Sequence, residues 1–404
     1  MESDRSTDSK FGALLIAACR RDRTSRPGPA LSEAMSWLSS DDERERFSAF
    51  ASQHGLVGLV ARALLQTQTG MNASSRATFE TLLRGMRRRT ALLQVERDHV
   101  LRILAVDNIN AVLLKGAGLS SSVYEVASDR DYGDIDVLVS VGDIDRAIAA
   151  LAAKGYVPPG RGNINSGYLA HHFHVRVQRP DGTIVELHWG LSLPSETFAL
   201  NAKAFLNESV AHAGVPQARV PRAEHALLHM VLENVRDPFM RLTRLVDIDR
   251  IIAAAPGMDW NFLEECARAG HLLPSLSLIL EMSASMLGTV VPVDFLKRIR
   301  ATPAVRRHLE LLDVPNSLIS QRSLRRASWG SLLQFWLVDD RSHLAAFTRI
   351  CRGDDVEPLE WMWQGEQRER DSRPSLVPRA LRVVKLVGYQ LGTYVMTRRR
   401  KRAL

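Results

Sequence analysis

The chain has 404 residues, of which 45% are apolar and 24% charged, the values of an ordinary globular protein long enough for two or three domains. That composition excludes a largely disordered chain, a collagen-like fibre and a small disulfide scaffold. Cys19, Cys266 and Cys351 lie far apart without a CxxC pair, so neither a disulfide framework nor a Cys-rich zinc site is expected, and a reducing cytoplasm is the expected compartment. Of the net charge of +8, five charges sit in Arg398-Arg399-Arg400-Lys401-Arg402, which leaves +3 for the rest. A body that close to neutral lacks the basic face of a nucleic-acid binder. Met1 to Lys10 is polar and includes Glu2, Asp4 and Asp8, unlike a secretory leader. No apolar run reaches the ~18 residues of a membrane span.

The first hundred residues read as helices. Phe11 to Arg21 is a short apolar segment with a basic end. Asp41 to Gln66 opens on acids, which suit a helix N-terminus, and reads as one helix. Ser74 to Val106 repeats Leu82, Leu83, Met86, Leu92, Leu93, Val100 and Leu104 at roughly helical spacing. From about residue 109 the pattern changes. Ala111 to Leu114 is a short buried strand by length, Ala117 to Val126 a helix, and Asp134 to Val139 a strand. Asp143 to Lys154 is a helix that stops at Gly155. Phe173 to Arg179 and Thr183 to Trp189 are two further strands. Helices return over Arg222–Val235, Met240–Ala255, Asp259–Ala269 and Leu272–Leu287. The spacing therefore predicts helices, then a β-α-β-α-β-β block of about eighty residues, then helices.

Asp134 and Asp136 stand at i and i+2 on a strand, so both side chains leave one face. Two carboxylates held that close repel unless a cation lies between them, and a divalent ion such as Mg²⁺ favours all-oxygen sites. A pair of solvated acids at a strand start is the alternative. The apolar neighbours Ile135, Val137, Leu138 and Val139 argue against it, because they put the acids at the mouth of a buried element. The last two strands supply a third acid. With Pro180-Asp181-Gly182 as a three-residue hairpin loop and Gly182 left-handed, Arg176 faces Glu186 and His174 faces His188. Phe173, Val175, Val177, Val185, Leu187 and Trp189 then form an apolar face, and His172, His174, Arg176, Glu186 and His188 a polar one. A two-residue loop would mix the faces, so the pattern decides the register. Finally, Lys115-Gly116-Ala117-Gly118 with Ser120-Ser121-Ser122 puts small residues at a strand-to-helix turn, where backbone N–H groups can meet phosphate.

A strand ending in a Gly turn, a helix, Asp-x-Asp on the next strand and a carboxylate on a later strand is the plan of the polymerase β-type nucleotidyltransferases. Five ordered pieces sharpen the match: Leu114-Lys115-Gly116-Ala117; Asp129-Arg130 with Gly133-Asp134-Ile135-Asp136-Val137-Leu138-Val139; Ala147 to Leu151 with Gly155-Tyr156; Val185-Glu186-Leu187-His188-Trp189; and Leu228-His229 with Leu245-Val246-Asp247-Ile248. Over residues 90 to 255 the chain resembles the uncharacterised nucleotidyltransferase family of that superfamily.

The resemblance implies an α+β fold with a polymerase β-like core, a mixed sheet with helices, over 109–217. An N-terminal helical region over 1–108 and a C-terminal one with a basic tail over 218–404 flank it. It implies an enzyme that transfers a nucleoside monophosphate from an NTP to a small-molecule or protein hydroxyl. Asp134, Asp136 and Glu186 would be catalytic and would hold two Mg²⁺ ions. Lys115, Gly116, Ser121 and Arg130 would contact the nucleotide, and Arg176 and His188 would line the acceptor side. One departure stands out: the turn that is usually Gly-Gly or Gly-Ser in better-studied members is Lys115-Gly116 here.

The competing reading is a degenerate nucleotidyltransferase fold used as a binding or regulatory module, an antitoxin-like partner. Retention of all three acids favours activity. His225 and His229, spaced i and i+4, read as helix packing rather than zinc ligands. The Arg84/Arg87/Arg88/Arg89 cluster reads as a solvated helix face. Leu386 to Thr397 runs into the five basic residues and admits two readings. It is a final helix with a frayed basic end, or an amphipathic segment making weak peripheral contact with an anionic membrane.

Overall fold

The computed structural model describes residues 2–300, apart from 22–30, 32–36, 39, 68–70, 159–168, 170–171, 181, 193–197, 214, 216–217 and 237–240. Leu386 to Thr397 and the C-terminal basic tail therefore lie outside the described residues. Four helices come first: α1 (Glu2–Cys19), α2 (Asp41–Gln53), α3 (Val57–Gln66) and α4 (Ala73–Val106). The sheet-bearing part follows: β1 (Val112–Leu113), α5 (Lys115–Ser122), β2 (Asp134–Leu138), α6 (Ile144–Ala152), β3 (His174–Gln178), β4 (Ile184–His188), α7 (Ala202–Asn207), β5 (Val210–Ala211) and β6 (Arg219–Val220). The helices α8 (Ala223–Arg236), α9 (Thr243–Ala254), α10 (Trp260–Ala269), α11 (Leu273–Leu287) and α12 (Val293–Arg298) complete the described chain. Among the described residues no helix is long and apolar enough to cross a membrane.

The six strands form one mixed sheet in the order β3-β4-β2-β1-β6-β5. β2 runs parallel to β4 and antiparallel to β1, and β3 is antiparallel to β4. The hairpin register is the one its pattern requires: Arg176 opposite Glu186, His174 opposite His188, and Gly182 at φ +92°. Val175, Val177, Val185 and Leu187 share a core with Ile135 and Val137 of β2, Val100 and Leu104 of α4, and Ala147 and Leu151 of α6. Phe173 departs from its expected face. Its ring lies 4.5 Å from that of His174 and 5.8 Å from that of His188, on the polar side. A second, larger core joins residues of α1 to α4 with residues of α8 to α12, so the first and last helices bury one another.

Two expected helices have different limits. The stretch Asp41–Gln66 is two helices, because Gly55 adopts φ +68° between them. The helix expected from Ala117 already begins at Lys115 and ends at Ser122; a 3-10 turn, Ala127–Asp129, follows. β5 and β6 have two residues each, too few for any period to show.

The loop that leads into β2 is clamped from both sides. Arg62 of α3 donates through Nε to both carboxylate oxygens of Asp129 at 3.0 Å. Arg130 donates through Nε to Asp247 of α9 at 2.8 and 3.0 Å, and the Tyr124 hydroxyl donates to the same carboxylate at 2.6 Å. Asp129 and Asp247 are buried. Two glycines admit the loop: a Cβ on Gly58 would lie 1.8 Å from the Ser128 carbonyl oxygen, and one on Gly116 2.4 Å from Tyr132 Cβ.

Removing one partner of a buried charge pair leaves the other uncompensated. Asp247→Ala is expected to destabilise the protein by ~3–5 kcal/mol in urea denaturation. Asp294→Ala, which breaks an exposed pair with Lys297, should stay within ~0.5 kcal/mol of wild type. Equal effects would refute the clamp.

Candidate active site

Asp136 lies directly beside Glu186 in the parallel β2–β4 register, so both side chains leave the same face. Asp134, two residues earlier, shares that face. Asp136 is only 2% exposed, and its charge is met by two donors. Lys115 Nζ lies 2.9 Å and His188 Nε2 3.0 Å from Asp136 Oδ1. His188 Nε2 also lies 3.5 Å from Glu186 Oε2, and its ring stacks on His174 at 5.1 Å. A fourth acid comes from α8: Glu233 lies 3.8 Å from Lys115 Nζ and 3.0 Å from Arg236 Nη1.

Burial alone would raise the Asp136 carboxyl, but Lys115 and His188 outweigh it and hold it well below the usual carboxylate range. Glu233 is held down to about 2 for the same reason: Lys115, His229 and Arg236 overcome its burial. Asp134 has no such partner. Burial first, then the charges of Asp136 and Glu186, push it up to about 6. Burial likewise drives the His174 imidazole down to about 4, with help from His188. His188 itself is raised, because its bonds to Asp136 and Glu186 outweigh its burial.

The residues present fit a divalent cation. Asp136, Glu186 and His188 offer ligand atoms within 4.8 Å of one another. The carboxylates of Asp134, Asp136 and Glu186 leave one face of the sheet. Carboxylate oxygens suit Mg²⁺ or Mn²⁺, and the imidazole is acceptable to Mn²⁺.

The acids open onto a cleft of about 480 Å³ lined by Asp134, Asp136, Lys115, Gly116, Glu233 and a set of arginines. Arg89 comes from α4, Arg130 from the clamped loop, Arg241 from just before α9 and Arg244 from its first turn. Arg89 lies 3.5 Å from Asp131 and also lines the cleft, so this member of the arginine cluster is more than a solvated helix face. Lys115 holds φ +42° at the strand-to-helix turn, the position where a glycine is the easy choice. A smaller cavity of about 170 Å³, mostly apolar, lies beyond Lys115 and Met230, which line both spaces.

Lys115, Gly116, Asp134, Asp136 and Arg130 thus line one cleft, with Glu186 beside Asp136. His188 is 1% exposed and bonded to Asp136. Arg130 reaches the cleft with its Nε committed to Asp247. Ser121 turns elsewhere: its hydroxyl accepts from Arg97 Nη1 at 2.9 Å and lies 2.9 Å from His212 Nε2. Arg176 is exposed on β3 and donates to Gln178. His225 stacks on Phe205 at 4.3 Å, as expected for helix packing. Glu233, Arg241 and Arg244 went unmarked in the sequence. Glu233 stands four residues after His229 on one helix face, the only local signal for any of the three.

A mixed sheet of this order, with Asp-x-Asp on one strand beside a carboxylate on its parallel neighbour, defines a polymerase β-like nucleotidyltransferase. The family model described as uncharacterised nucleotidyltransferase matches residues 40–288, more than half of the chain, and the chain belongs to that family. The match is wider than the motif-bearing stretch. It begins at Ser40, the N-cap of α2, and ends at Gly288, the C-cap of α11. No curated protein matches the chain. The protein is a nucleotidyltransferase.

The Asp134 carboxyl yields a signed pH effect. Its folded value lies above the unfolded 3.8, so the folded state binds that proton more tightly. The corresponding stability is fully present below pH ~4 and is lost as pH rises through ~6. Asp134→Asn should therefore equal wild type near pH 4 and exceed it by roughly 3 kcal/mol at pH 8 without metal. A parallel pH dependence for the two proteins in thermal denaturation would contradict this.

Proposed function

We propose that the protein transfers a nucleoside monophosphate from an NTP to a hydroxyl of a small molecule or a protein, with Mg²⁺. The observation that carries this reading is the placement of Asp136 beside Glu186 with Asp134 on the same face, opening onto a cleft edged by Arg89, Arg241 and Arg244. Asp134, Asp136 and Glu186 would hold the metal. Divalent ions there supply charge to the triphosphate and make the acceptor oxygen more nucleophilic. Lys115 and the three arginines lie where they can face the phosphates and the departing pyrophosphate. Glu186, at the edge of the pair, accepts the acceptor's proton. The acceptor oxygen forms a bond to the α-phosphorus, the bond from that phosphorus to the bridging oxygen breaks, and pyrophosphate leaves. Arg130 serves here as a positioning residue through Asp247, and Ser121 braces α5 against Arg97.

A cytoplasmic location goes with this reading. Neither Cys19 nor Cys266 is in a disulfide. The acceptor side is proposed to lie toward Glu186 and His188, where the polar face of the β3–β4 hairpin begins.

The test is incubation of the purified protein with each α-labelled NTP, ATP included, and Mg²⁺, followed by mass spectrometry of whatever acquires label. Asp136→Asn removes a charge and keeps shape. It should reduce labelling by roughly 10²–10³-fold, the effect of removing one preorganised charge-stabilising group, while the circular dichroism spectrum is unchanged. Nucleotide binding without transfer to any acceptor would favour the regulatory-module reading instead.

A further inference from the structure

We propose that Lys115 is a resident cation of the site. It competes with a divalent ion for Asp136, and it yields when a nucleoside triphosphate takes its ammonium group. The inference rests on the nucleotidyl-transfer reading above.

Three observations carry it. First, Lys115 Nζ lies 2.9 Å from Asp136 Oδ1, and Asp136 is also a member of the group that could hold an ion with Glu186 and His188. An ion entering that group meets a second positive charge across the same carboxylate, and like charges that close repel strongly in a buried site. Second, the ammonium has somewhere to go. Glu233 Oε2 lies 3.8 Å from Nζ on the cleft side, and the smaller cavity on the other side is mostly apolar. The move available to the charged head is therefore toward Glu233 and the arginine-lined cleft, where phosphate oxygens would receive it. Third, the chain keeps a lysine at φ +42°, a backbone conformation that disfavours side chains, in the turn that delivers its head group to Asp136.

The consequence is positive coupling between metal and nucleotide, which is reciprocal by thermodynamic necessity. Metal binds weakly to the protein alone and tightly together with a triphosphate. Free divalent ion would then leave the site closed until its nucleotide arrives.

Mn²⁺ binding to the full-length protein, followed by calorimetry or electron paramagnetic resonance with and without α,β-methylene ATP, tests this. In wild type the analogue should tighten Mn²⁺ by a factor within the ~5- to 150-fold range of coupled sites. Lys115→Met should bind Mn²⁺ at least ~5-fold more tightly than wild type without nucleotide, and should show a smaller nucleotide effect. Lys115→Arg, which keeps the charge, should resemble wild type. Glu233→Gln, which takes away the ammonium's second seat, should weaken Mn²⁺ binding without nucleotide and keeps the test open if the Met variant does not fold. Equal Mn²⁺ affinities in wild type and Lys115→Met, or an unchanged affinity in Glu233→Gln, would overturn the competition. Failure of the transfer reading has a different signature: Asp136→Asn would bind Mn²⁺ as wild type does.

Discussion

A carboxylate as deeply buried as Asp136 must be met by positive charge or hydrogen-bond donors, because an uncompensated charge in the interior costs several kcal/mol. Much of the site follows from that constraint. Lys115 reaches Asp136 only because the chain turns sharply between β1 and α5. His188 reaches it because β4 runs parallel to β2 in a register that puts Glu186 beside Asp136 and His188 one pleat further along. Glu233 then answers Lys115 from α8, and Arg236 answers Glu233. The chain of alternating charges ends there. Asp134, on the same face, has burial and then the charges of Asp136 and Glu186 set against its ionised form, which push its carboxyl up to about 6.

The parts of this arrangement that depend on short period and local turn chemistry were legible in the sequence. Alternation of Val175, Val177, Val185 and Leu187 against His174, Arg176, Glu186 and His188 admits one hairpin register, and the strands adopt it. The i, i+2 spacing of Asp134 and Asp136 needs only a strand. The exception within the hairpin is Phe173. It lies just before the first ladder residue, where the pleat no longer dictates direction, and it turns to the histidines and to Arg236, whose guanidinium lies 4.7 Å from its ring. The two-residue strands β5 and β6 and the helix break at Gly55 carry no periodic signal and went unread.

What could not be read is the contribution of elements far apart in sequence. Beyond the spacing of Glu233 from His229, nothing local marks Glu233, Arg241 or Arg244 as cleft residues, since their position depends on how α8 and α9 pack against the sheet. Arg130 lines the cleft and has a second commitment that its neighbours in sequence do not show. Its place beside the Asp-x-Asp strand suggests a phosphate ligand, yet Asp247, more than a hundred residues later, takes its Nε with both oxygens. A charged residue near a catalytic motif has two competing uses, and burial separates them. The Arg130 side chain is 11% exposed and that of Arg89 53%. The guanidinium that remains accessible is the one on the helix that looked merely solvated.

The clamped loop links these observations to the extent of the family. Asp129 is held by α3 and Arg130 by α9, and Gly58 of α3 has no room for a side chain against Ser128. Helices from both flanks of the sheet therefore set where β2 begins, and with it where Asp134 and Asp136 stand. The same helices share one apolar core, so neither flank is positioned without the other. The family match runs from the cap of α2 to the cap of α11, across both flanks and the sheet between them. That span contains both jaws of the clamp and the arginines of the cleft, while the common core behind them extends further, into α1 and α12. The helical regions are part of the site's construction, and their sequences answer to the geometry of two aspartates on a strand that lies between them.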